Sequence, residues 1–242
     1  MLLPIVRWNV REPPEDFVPA SLAAGDPAAD VSSSTLIGIR LRAARRTPTF
    51  WLLGASLFLF YFYFISVSAH LTLYLTDLGL SQKAAALNFS LMVAVGVAAK
   101  LGIGLVANRW PAKTALMLNF AVVVLAAFLL VAMERQPELR LLFIVTHGVA
   151  TMAQNVVYPL IVAHCFGTRY MAEIYGVLML ALLPGGVLGP VFAGYMHDWT
   201  GSYALVFKLY AGLTVVTFGM LAAVRREFGA EPPPEPRTRF DP

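Results

Sequence analysis

The chain has 242 residues, 58% of them hydrophobic and 13% charged, with a net charge of +4 and a mean hydropathy of +0.69. Soluble domains carry about a quarter charged residues, so a water-soluble globule is excluded. The charges are pushed between apolar blocks: residues 47–76, 114–133, 141–168 and 174–197 contain no Asp, Glu, Lys or Arg. Each block is long enough for a helix across a hydrocarbon layer about 30 Å thick, which makes this an integral membrane protein.

In chain order, Pro13, Pro14, Pro19 and Pro27 interrupt a stretch of small and acidic residues, followed by a basic amphipathic run from Ile37 to Arg46. Residues 1–47 therefore read as a cytoplasmic linker ending in a short helix on the membrane surface. Six spans follow, at 49–75, 84–107, 114–133, 141–163, 174–197 and 204–224, within a transmembrane domain over 48–225. The apolar blocks are too many and too long for a signal peptide. The tail over 226–242, with Pro232, Pro233, Pro234 and Pro236, is expected to be disordered. Thirteen basic residues outside the spans fall on one side, among them Arg40, Arg42, Arg109, Lys113, Arg169 and Arg225, against Lys83, Arg135 and Arg140 on the other. That bias puts both termini in the cytoplasm of a cell-membrane protein. The basic charge is topological, with lipid head groups as its partner and no nucleic-acid motif. A single cysteine, Cys165, excludes an internal disulfide and a Cys-based metal site.

The first span offers Ser56, Tyr63, Ser66, His70 and Tyr74 mostly on one face. The aromatic run Phe58 to Phe64 reads as packing before it reads as a ligand box. His70, near the outer end, is either hydrated or a proton carrier. The second span contains Lys100, placed near mid-membrane by the expected helix end, with Gly96 and Gly104 one turn to either side. An ammonium at such depth either faces a polar cavity or snorkels to head groups. No carboxylate lies deep in any span to pair with it. The fourth span carries His147, Thr151, Gln154, Asn155 and Tyr158 in one polar stripe, to line a pathway or to bond a neighbouring helix; Pro159 should kink it. The fifth is a small-residue helix. Gly185, Gly189 and Ala193 recur at four-residue steps, as do Gly186, Pro190 and Gly194, with Pro184 and Pro190 as expected hinges of a gating element. Lys208 in the sixth span is expected to snorkel.

Two segments ninety residues apart share a pattern: Lys100 to Pro111 and Pro190 to Gly201 each place Gly (Gly104, Gly194) four residues before Asn108 or Asp198, then a turn. The first turn faces one side and the second the other, so the spans form two inverted triplets, a transporter signature. At these residues the chain resembles the major facilitator superfamily. Gly104, Arg109 and Lys113 keep parts of its G-x-x-x-D-[RK]-x-G-[RK]-[RK] loop motif, while Asn108 replaces the acid and Pro111 the glycine. Gly185 to Pro190, with Asp198 to Tyr203, is similar to the family's penultimate helix and last external loop. Phe166 to Arg169 is similar to the preceding cytoplasmic loop, and Arg11 to Asp16 to the central one. The resemblance implies an all-α six-helix bundle, the carboxyl half of a twelve-span fold. Within the family the likeness is nearest to monocarboxylate and oxalate/formate exchangers, through the basic residue at Lys100.

The expected function is therefore secondary transport of a small organic anion bound by Lys100, Tyr63, His70 and the fourth-span stripe, with Gly96, Gly104, Asn108 and Arg109 among the gating positions. No metal or other cofactor is implied, and enzyme motifs such as H-E-x-x-H are lacking. The rival reading is a structural or interaction membrane protein, in which Lys100 and the stripe make dry contacts or reach head groups. A lone half needs a second six-helix half or a second copy to complete a pathway, so the frame is expected to be truncated, split or self-pairing.

Overall fold

The computed structural model describes residues 37–106 and 110–227, within a unit that begins at Gly38. The expected linker up to residue 36 and the tail from residue 228 lie outside the described residues. So do Asn108 and Arg109. A single helical turn, α1 (Leu41–Ala44), precedes the spans.

Local chemistry sets most of the helix ends. Pro48 occupies the first turn of α2 (Pro48–Asp77), where its missing N–H costs nothing, and Thr47 Oγ1 accepts from Phe50 N–H at 3.3 Å. Beyond α2, Gly79 takes φ +90° to turn the chain. Ser81 Oγ accepts from Ala84 N–H at the start of α3 (Gln82–Val106). Pro111 leads into α4 (Ala112–Ala132), and a 3-10 turn at Pro137–Leu139 leads into α5 (Arg140–Phe166). The segment taken as one fifth span is two helices, α6 (Met171–Met179) and α7 (Leu182–Thr200). The break at Leu180 and Ala181 falls one turn before Pro184, which has no N–H for the Leu180 carbonyl. The last helix is α8 (Ala204–Ala222). Among the described residues, six segments are long and apolar enough to cross a membrane, α6 and α7 together making the fifth.

The helices alternate in direction, and their ends are tied. Thr49 Oγ1 donates to Arg225 O, Glu227 N–H to Cys165 O, and Ile39 N–H to Phe166 O. The start of α2, the end of α5 and the end of α8 therefore share one end of the bundle, here the terminal end; the other is the distal end. Lys113 Nζ joins them by donating to Ala222 O at 3.0 Å and Val224 O at 2.8 Å.

The packing follows the inverted triplets. α2, first of one triplet, lies along α7, second of the other, and α5 lies likewise along α3, while α4 and α8 close the bundle behind them. Glycines set both close crossings. A Cβ on Gly96 would stand 2.8 Å from Gly148 O, and one on Gly148 would run into Met92 O. At the other crossing a Cβ on Gly185 would stand 2.5 Å from Phe58 O, and one on Gly189 would run into Phe62 O. Backbones meet there without side chains between them, the usual device where hydrophobic burial does not distinguish protein from lipid. The outer faces of α3 and α7 expose Leu87, Val97 and Leu101, and Leu183, Val191 and Trp199. Such surfaces suit hydrocarbon or another apolar helix.

Candidate functional site

The polar stripe of α5 divides between seams and open surface. Tyr63, fully buried on α2, has its hydroxyl 2.9 Å from His147 Nδ1, and the His147 ring lies among Tyr63, Phe64 and Phe143. His147 Nε2 has no hydrogen-bond partner among the described residues. Tyr158 donates to Leu53 O at 2.6 Å and meets Ser56 Oγ at 2.6 Å. Gln154 turns the other way, to α4, where its Oε1 accepts from Asn119 Nδ2 at 3.3 Å. Thr151 donates to the His147 carbonyl of its own helix at 2.6 Å. These side chains are buried at helix contacts. In hydrocarbon an unpaired polar group has no water to turn to, so bonds across α2, α4 and α5 hold the bundle while hiding the groups that make them.

Asn155 differs. It is exposed, and its Oδ1 accepts from Tyr61 OH on α2 at 3.3 Å, leaving its NH2 group without a described partner. α3 and α5 run in the same direction, and Gly96 lies against Gly148 and Met152. Four residues further on, Lys100 is therefore level with the α5 turn 152–156 that carries Asn155. Lys100 is exposed and makes no hydrogen bond or ion pair with a described residue. It lies six residues before Val106, ~9 Å at ~1.5 Å per residue, and eighteen after Gln82. That puts it in the last third of the described part of α3.

Phe89, Val93 and Lys100 follow one stripe of α3 (i, i+4, i+11). The distal part of that stripe borders a cavity of about 180 Å³ between α2, α3 and α5, lined also by Phe64, Ser68 and Thr151. A larger cavity of about 470 Å³ lies on the other flank of α3, against α4 and α5, lined by Ala99, Gly102, Ala115 and Ala153 with Asn119 and Trp110 as the side chains that carry polar atoms. It has no charged group and opens beside surfaces that face hydrocarbon. The smaller cavity is the one on the side of the chemistry. An ammonium and a free amide NH2 at one level, with no carboxylate partner among the described residues, can together receive a small anion.

His70 lies toward the distal end, away from this group. Its Nε2 is 3.1 Å from Pro190 O and its Nδ1 is 2.9 Å from Tyr203 OH. A carbonyl only accepts, so Nε2 carries the hydrogen in the neutral ring, and Nδ1 accepts from the phenol. Burial, and then the charges of Asp77 and Asp198, hold the Tyr203 phenol above its ordinary pKa, so it stays a donor. A Cβ added at Gly194 would stand 3.7 Å from His70 Cε1. Gly104 belongs to the described α3 backbone.

Of the sequence-derived candidates, Lys100 and Asn155 share a level on open surface. Thr151 borders the cavity, Tyr63, His147, Gln154 and Tyr158 are in the seams, and His70 is distal. Tyr61 and Ser68 were not singled out. Tyr61 sits in the aromatic run Phe58 to Phe64, where its hydroxyl was the available signal.

Residues 1–182 match the family model Major Facilitator Superfamily, and the chain belongs to that family. It is accordingly a multi-pass membrane protein of a transporter family rather than an enzyme. Among curated proteins it is similar to Monocarboxylate transporter 9 of Rattus norvegicus and of Mus musculus, each 28% identical over 135 residues, covering 55% of this chain and 25% of the relative. Monocarboxylate transporter 9 of Pongo abelii is 31% identical over 65 residues, covering 27% of this chain and 13% of the relative. The matched region thus spans a quarter or less of these relatives' length.

Proposed function

We propose that this chain is the carboxyl-terminal half of a secondary carrier for a small organic anion, with Lys100 binding the carboxylate and Asn155 donating a second hydrogen bond. The observation that carries the reading is the exposed Lys100 ammonium, level with the free Asn155 amide and without a carboxylate partner among the described residues. Such a charge in a membrane span calls for an anion, water or a head group, and the relatives named monocarboxylate transporters favour the anion. The six-helix unit works against a second half or a second copy, which supplies the other wall of the pathway. Both termini face the cytoplasm of the cell membrane, in keeping with the thirteen-to-three distribution of basic residues. The glycine crossings at Gly96, Gly185 and Gly189, with Pro184 and Pro190, serve as the rocking surfaces, and Gly104, Asn108, Arg109 and Gly194 serve as further gating positions.

The test is binding of lactate and of oxalate to the purified chain, alone and co-produced with an amino-terminal half. Lys100→Ala should weaken binding at least tenfold, since a charge-assisted hydrogen bond contributes about 1.5–3 kcal/mol, and Lys100→Arg should retain most of it. Equal affinities for the native and Lys100→Ala proteins overturn the assignment. A non-transporting membrane interaction module is favoured by one observation, the burial of His147, Gln154 and Tyr158 in helix contacts; it predicts no anion binding in either preparation.

A further inference from the structure

The distal end gathers titratable side chains that the anion site does not use. Asp77 is the last residue of α2, and His197 lies in the last turn of α7. His197 Nε2 is 3.9 Å from Asp77 Oδ2, and its Nδ1 is 3.8 Å from Asp198 Oδ1. The ring also stacks on Tyr203, with centroids 4.2 Å apart and planes 27° apart. Both imidazole nitrogens therefore look toward a carboxylate.

A neutral imidazole has one N–H and one lone pair, and here the lone pair would point at an anion. The protonated ring presents an N–H on each side. It also gains from the aromatic face beneath it and from its position at a helix C-terminus, where the backbone carbonyls favour positive charge. Tyr203 is in turn held by its bond to His70 Nδ1, and His70 is held by Pro190 O, so the face that receives His197 is anchored to α2 and α7.

The surroundings add no competing cation. From α2 the cluster is faced by His70, Tyr74 and Asp77, from α7 by Asp198, and from the segment before α8 by Tyr203. Tyr74 packs edge-on against Tyr203, and Glu134 after α4 acts on Tyr74 electrostatically. Lys208 of α8 is exposed and pairs with neither acid. The side chains of His197, Asp77 and Asp198 are 32%, 56% and 86% exposed, so a proton reaches the ring directly from solvent.

We propose that His197 is a proton-binding site at the distal end, and that the bound proton clasps the end of α2 to the end of α7 through Asp77. Acidification on that side then tightens two helices whose close crossing otherwise lies lower, at Gly185 and Gly189. Histidine changes charge between about pH 5 and 8, so the clasp responds to ordinary shifts of pH.

The test uses the full chain in lipid nanodiscs with ¹³C-labelled histidine, each of the four resonances assigned by single substitution. Asp77→Asn and Asp198→Asn should each weaken proton binding at His197 about two- to five-fold, read as a lower titration midpoint, as expected for partly exposed charge pairs. Amide-exchange protection over 196–201, corrected for intrinsic chemistry, should rise on acidification in the native chain and stay flat in His197→Gln. A midpoint unmoved by both carboxamide substitutions overturns the site. Protection that rises equally in His197→Gln overturns the clasp. Neither readout involves transport, so the anion site stands or falls separately.

Discussion

A methyl group added at a glycine should have opposite effects in different parts of this bundle. At Gly189 a Cβ would run into Phe62 O, with Phe62 Cα also at 3.0 Å, and at Gly148 it would run into Met92 O. These are backbone atoms of the facing helix, so relief requires the helices to part. Overpacking of this kind costs about 1–3 kcal/mol. Against it stands the gain from replacing glycine by alanine in a helix interior, about 0.5–1 kcal/mol. The steric term wins, and Gly189→Ala and Gly148→Ala should each destabilise by roughly 1–2 kcal/mol. At Gly212 and Gly219 of α8 nothing lies within 4 Å of the added carbon. Only the propensity term remains there, so Gly212→Ala and Gly219→Ala should be neutral to stabilising. The assay is equilibrium unfolding of the four variants in one detergent, or their melting temperatures in nanodiscs. If all four moved stability the same way and by similar amounts, the close crossings would not be what holds α2 on α7 and α5 on α3.

Tyr158→Phe removes a buried hydroxyl bonded to Leu53 O and Ser56 and should cost about 0.5–1.5 kcal/mol, read in the same unfolding assay, because Ser56 Oγ still donates to Leu53 O. Asn155→Ala should weaken lactate binding while leaving the melting temperature nearly unchanged, since its side chain is exposed and bonded only through Tyr61; a fall in stability without a fall in affinity would make it a packing residue. Outside the spans, a hydrogen bond from Arg40 lowers the Tyr170 pKa. A phenol depressed in the folded state contributes its phenolate pairing above the unfolded value, and loses it as pH falls through the folded one. The earliest phase of an alkaline absorbance titration should therefore vanish in Tyr170→Phe and move to higher pH in Arg40→Gln.

The spans were legible because charges are expensive in hydrocarbon, and their absence over 47–76 or 174–197 is a strong signal. The close-packing glycines were legible too: four-residue steps at Gly185 and Gly189 mark one helix face, and that face meets α2. The stripe on α5 was visible as a stripe, but its division was not. His147, Gln154, Asn155 and Tyr158 lie within a hundred-degree fan or so, and which edge is covered depends on where α2 and α4 sit, a tertiary fact. The level that Lys100 shares with Asn155 was not legible, because it depends on how α3 lies along α5. The distal cluster was beyond sequence reasoning, because Asp77, His197 and Tyr203 belong to α2, α7 and the segment before α8, and only the inverted pairing of α2 with α7 joins them.

That pairing also explains why polar groups have such different fates in one bundle. Between the two crossings, α2 meets α5 in a buried seam where a polar side chain has only another protein group to bond, and so Tyr63 meets His147 and Tyr158 meets Leu53 O. Beyond the Gly96–Gly148 contact, one turn on along α3 and two along α5, both helices present exposed polar residues, so a polar group there is left facing whatever fills the open side. Lys100 and Asn155 are at that level. If it were only the edge of a seam, polar groups would be a liability there and an aliphatic residue would serve better. The proposed anion site would use this ammonium and amide because both are left facing the open side. This ties the binding proposal to the glycine variants: parting α3 from α5 with Gly148→Ala should alter lactate affinity, whereas parting α2 from α7 with Gly189→Ala should lower stability and leave lactate affinity unchanged.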